Sequence, residues 1–117
     1  MTGSDLSTRT GFEALVTSLP AVTLVEQWGS LVAKVGGKVF ALIGETSFAI
    51  TFKVTSIGFD GLTAIPGVGQ APYFAKGQWV QTQPGALDDE TLAAYVTASH
   101  AMIAAKLTRK LRAELGL

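Results

Sequence analysis

Residues 31–43, LVAKVGGKVFALI, decide how the rest of the chain is read. Two apolar runs flank Gly36-Gly37, and a two-residue connection whose central residues both take positive φ is what a type I′ hairpin turn requires. Counting evenly outward pairs Val35 with Lys38, Ala33 with Phe40 and Leu31 with Leu42. Those pairs share one face, and its bulk marks it as the core side. Lys34 opposes Val39 on the other face, and Lys38 snorkels from the rim.

Working outward, Val22 to Trp28 reads as a strand preceding the hairpin. Before it, Phe12, Leu15, Val16 and Leu19 draw one apolar stripe on a helix that Pro20 ends. Thr10 and Glu13 fit a capping box, and Ser7 offers an earlier start. After the hairpin, Phe48, Ile50, Phe52 and Val54 alternate with Ser47, Ala49, Thr51 and Lys53, the pattern of an antiparallel strand buried on one side and wet on the other. Thr55 to Ile65 reads as a short irregular helix ended by Pro66-Gly67. Tyr73 to Ala75 and Gln78 to Thr82 can pair across Lys76-Gly77, with Phe74 opposite Trp79 and Tyr73 opposite Val80. Asp88 is a good N-cap, with Leu87 and Leu92 placed as a hydrophobic staple. The helix it starts is predicted to run to about Leu115, with Leu92, Val96, Ile103, Leu107 and Leu111 inward.

A chain of 117 residues, 48% hydrophobic and 15% charged, suits one domain over residues 1–117, with residues 1–6 expected to be flexible. It contains no cysteine, which excludes disulfides, thiol catalysis and cysteine-ligated metals. Nine basic and nine acidic residues cancel, so the molecule is no general polycation. The polar start has no basic-then-apolar run, and the charge-free stretches Gly61–Ala75 and Thr91–Ala105 fall short of a bilayer span. A cytoplasmic protein that makes no membrane contact is expected.

Several pieces, in order, resemble the MmcQ/YjbR-like family of small bacterial proteins. Leu19-Pro20-Ala21-Val22-Thr23 is similar to its post-helix signature, and Trp28-Gly29 to its W-G step. Residues 32–42 resemble its hairpin, Thr51-Phe52-Lys53 a later strand, and Pro72-Tyr73 through Trp79-Val80 its tyrosine-to-tryptophan hairpin. Leu87–Glu90 and Ser99-His100 are similar to parts of its last helix. The resemblance implies an α+β fold with a single antiparallel sheet, N- and C-terminal helices packed on one face, and two protruding hairpins, like frataxin-type and secretion-chaperone-type domains. It also implies DNA binding through those hairpins and brings no catalytic activity or cofactor.

The first candidate site is therefore lysines at two hairpin tips, Lys34, Lys38 and Lys76, with Lys53 on the wet strand face and Trp79 nearby. Such tips can address DNA, and lysines at strand ends also deter edge-to-edge aggregation. Lys106, Arg109, Lys110 and Arg112 spread around the end of the last helix, where its dipole favours them. Asp88, Asp89 and Glu90 suit a helix start. His100 faces the apolar stripe without a neighbouring nucleophile or carboxylate, so no enzyme and no metal site are expected. The alternative function is protein interaction or a homodimer. It would use the uncharged last helix, where Ala94, Ala98, Ala101, Met102 and Ala105 line the side away from Leu92 and Val96. That side could equally pack inside the fold.

Overall fold

The turn at Gly36-Gly37 forms as its residues dictate, with φ of 59° and 81°. In the computed structural model, which describes residues 6–117, it joins β2 (Ser30–Val35) to β3 (Lys38–Gly44). Val35 stands opposite Lys38 and Lys34 opposite Val39. Past that point the even count fails, because a bulge pairs Ala33 with Ala41, Val32 with Leu42 and Leu31 with Ile43. Phe40 is the extra residue, and an inserted residue of this kind leaves no mark in alternation. Preceding β2, β1 (Val22–Gln27) pairs with it through the Trp28-Gly29 turn. β4 (Ile50–Lys53), β5 (Val68–Gln70) and β6 (Trp79–Thr82) complete an antiparallel sheet ordered β1-β2-β3-β4-β6-β5.

Among the described residues, four helices accompany the sheet: α1 (Arg9–Thr17), α2 (Ser56–Leu62), α3 (Asp89–Ala105) and α4 (Arg109–Leu115). Phe12 and Val16 of α1 and Val96 and Ile103 of α3 share one core with Ala33, Phe40, Ile43 and Phe52. The fold is α+β, as expected. The expectation for residues 1–5 lies outside the described residues, whereas Leu6 packs against the core. The cap of α1 is Thr8, whose Oγ1 accepts from the amide of Gly11 at 3.0 Å, not Thr10 or Ser7. Asp88 caps α3 as its position predicts, and the amide of Thr91 holds its carboxyl below the usual aspartate range.

Three expectations are corrected. The strand expected from Ser47 to Val54 is only Ile50–Lys53, because Phe48 sits in the left-handed region (φ 57°) with its ring half exposed. The second hairpin does not use Tyr73 to Ala75. Its outer strand is β5, with Gln70 opposite Val80, and residues 71–78 form a loop. Pro72 has no N–H for a ladder, and Ala71-Pro72-Tyr73-Phe74 makes a type II turn, Tyr73 taking φ 69°. Gln70 holds the loop: its amide donates to the carbonyls of Ala71 (2.8 Å) and Phe74 (3.2 Å), and its Oε1 accepts from the amide of Gly77 (3.0 Å). Finally, the last helix breaks. α3 ends at Lys106, Leu107 turns inward against Gly36, and Thr108 caps α4 with its hydroxyl on the amide of Leu111.

Ser99 explains how α3 is fixed to the sheet. The β3–β4 ladder runs from Ile43–Ile50 to Ala41–Phe52, and the next positions across would be Phe40 and Lys53. The hydroxyl of Ser99 bridges them instead, accepting from the Lys53 amide at 2.9 Å and donating to the Phe40 carbonyl at 2.6 Å.

Candidate nucleic-acid interface

Register places the expected lysines. The turn at 36–37 lies at one end of the sheet. β4 arrives at that end with Lys53, β6 departs from it with Trp79 opposite Lys53, and Gln70 leads into the 71–78 loop there. Lys34, Lys38 and Lys76 therefore share an end, although the second strand pair differs from the expected one. Lys106 joins them, since the following residue, Leu107, presses on Gly36. Lys38, Lys76 and Lys106 are exposed and Lys34 is half-buried. Among the described residues no ion pair joins any of the four to a carboxylate. The ion pairs found there belong to the opposite end, where Arg9 bridges Glu26 and Glu45 (3.4 Å to the latter).

Two of the expected contact residues are not on the surface. Alternation puts Lys53 on the face away from α3, but the 71–78 loop closes over it and leaves it 8% exposed. Its Nζ donates to Gln78 Oε1 at 2.8 Å and lies 5.7 Å from the centre of the Trp79 ring. Burial, and then the nearby Lys106, push the Lys53 ammonium below its usual pKa. Trp79 is buried too, with the Phe74 ring 4.6 Å away. The dipole account of the C-terminal basic residues also needs correcting. Arg109 and Lys110 lie in the first turn of α4, where a helix dipole disfavours cations.

His100 is structural: its Nε2 lies 2.8 Å from the carbonyl of Pro20, and the ring meets Phe40 edge-on at 5.0 Å. Among the described residues no three histidine, aspartate or glutamate side chains gather as a metal-binding group. Along α3, Ala94, Ala98, Ala101 and Ala105 are exposed and Met102 half-buried, so internal packing does not cover that strip.

The sequence reading missed the other face of the sheet. A row runs across it: Val25, Val32, Leu42, Thr51, Gln81 and Gly69, each opposite the next. Of this row, Thr51 was expected on the wet side and Leu42 on the core side, and the bulge turns Leu42 to this face. Val32, Leu42 and Thr51 are buried, and a groove of about 600 Å³ opens over them, lined by Trp28, Ser30, Leu42, Thr51, Gln81 and residues 72–74. Trp28-Gly29 was a legible signal, because a tryptophan in a two-residue turn takes positive φ at an energetic cost.

An antiparallel sheet with helices on one face, an open groove on the other and a lysine-rich end defines a small α+β domain. The family model named YjbR matches residues 17–102, and the chain belongs to that family. The fold is similar to Deinococcus radiodurans protein DR2400, which carries a DUF419 domain: TM-score 0.88, 23% identity, 99% of this chain and 93% of that one covered. It is also similar to a structural-genomics target from Pseudomonas syringae, with TM-score 0.67, 17% identity and 81% and 97% coverage. A comparison with functionally curated proteins finds no match. Among the described residues, no helix is long and apolar enough to cross a membrane.

Proposed function

We propose that this chain is a non-enzymatic protein that binds the phosphate backbone of DNA through its lysine-rich end. One observation carries this reading. Lys34, Lys38, Lys76 and Lys106 gather around one end of the sheet without carboxylate partners among the described residues. Lys53 supports the end from beneath and makes no direct contact. Three or four phosphate contacts give weak binding with a log–log salt slope of about −3. Fluorescence anisotropy of a labelled duplex tests this. The triple variant Lys34→Gln, Lys38→Gln, Lys76→Gln should bind more weakly and with a slope of about −1, from the contact Lys106 still makes. No binding by the unmodified chain at low ionic strength ends the proposal.

The exposed alanine strip favours a second reading, in which a partner protein or a second copy covers Ala94, Ala98, Ala101, Met102 and Ala105. Sedimentation of the Ala98→Glu variant tests it. A monomeric unmodified chain with no copurifying partner removes it.

A further inference from the structure

We infer that the groove on the helix-free face seats an unpaired base of a single-stranded nucleic acid, an inference that rests on the phosphate-binding reading above. Trp28 and Tyr73 stand at its rim, 69% and fully exposed, and neither ring is spent on the core. Both sit on left-handed backbone (φ 58° and 69°), a conformation that large side chains adopt at a cost and that clusters at functional sites. The hydroxyls beneath supply polar contacts. Thr51 is 2% exposed and Ser30 9%, both line the groove, and neither side chain has a hydrogen-bond partner among the described residues. Neither hydroxyl oxygen is sealed off from the groove, so this pair can meet a ligand's polar edge, with the Gln81 amide beside them.

The lining residues carry no charge, so the group that enters is neutral. Exposed rings ask for a flat partner, and hydroxyls with an amide ask for donors and acceptors on its edge. A base meets all three demands, and aromatic stacking is how single strands are held without sequence preference. Its backbone stays outside, and the 71–78 loop that presents Tyr73 also carries Lys76.

The test compares a short oligothymidylate, an abasic strand of equal length and charge, and a duplex. The unmodified protein should bind oligothymidylate about tenfold or more tighter than the abasic strand. Tyr73→Ala and Trp28→Ala should each erase most of that preference, and Thr51→Val should reduce it several-fold. All three should leave abasic affinity and salt slope unchanged. If a Trp28 variant fails to fold, Tyr73→Ala still decides, because that ring supports nothing. Equal binding of the two strands, insensitive to Tyr73, overturns the base seat and leaves phosphate binding standing. Absence of binding to any strand or duplex overturns both.

Discussion

Trp28 occupies a turn position that asparagine or glycine would fill with less strain, since both central residues of a type I′ turn need positive φ. A non-glycine residue held there costs about 1–3 kcal/mol. Trp28→Asn should therefore stabilise the fold by up to about 1 kcal/mol, read as a raised thermal midpoint, while removing a ring from the groove. A loss of stability would mean that the ring packs more than its exposure shows. Much at this scale was legible. Gly36-Gly37 announced its turn, and Asp88 announced its helix because a short acceptor before an apolar run has few other uses. Burial of Lys53 was not legible, because alternation along one strand cannot foretell a loop folding over it. The bulge at Phe40 was hidden for a similar reason: an inserted residue keeps its neighbours apolar.

Between elements, the decisive joint is Ser99. Its hydroxyl replaces a ladder bond between β3 and β4, and it is fully buried. Ser99→Ala leaves the Phe40 carbonyl and the Lys53 amide unpaired, at about 1–3 kcal/mol for each buried group. Urea unfolding should show a clearly lower midpoint with an unchanged slope. The two turn glycines offer a paired comparison. A Cβ on Gly36 would meet Leu107 Cδ1 at 2.6 Å, whereas one on Gly37 meets nothing within 4 Å. Both substitutions strain positive φ, so Gly36→Ala should cost more than Gly37→Ala, the difference reporting the Leu107 contact alone. That contact also accounts for the break between α3 and α4, which an uninterrupted apolar stripe through Leu107 and Leu111 concealed. The outer strand β5 was equally hard to see, because three residues centred on Gly69 carry too little alternation to read.

Over the whole molecule, a net charge of zero conceals segregation. α3 begins with Asp88, Asp89 and Glu90 and ends at Lys106, about 25 Å away at 1.5 Å per residue. Composition was therefore a poor guide to the candidate interface, since only strand order brings Lys34, Lys38 and Lys76 to one end. The crowding has a titration signature. Folding lowers the pKa of Lys53, so between that lowered value and the ordinary one the unfolded chain holds more protons. Stability should thus rise with pH across that alkaline window, measured by urea unfolding. Lys53→Met should lose this gain, and Lys106→Gln should shrink it while raising stability at neutral pH. If both variants follow the unmodified protein, Lys53 is not strained by its surroundings.

Leu107 seated on Gly36 ties the chain's closing stretch to the tight turn between β2 and β3. That turn is then no independent flap: for its amides to reach solvent, the closing stretch must lift first. Hydrogen exchange across 35–38 should consequently keep pace with unfolding of the entire core, and Leu107→Ala should uncouple the two. The tip that carries Lys34 and Lys38 would thus meet any polyanion as a rigid, pre-shaped edge, with little ordering left to do on contact.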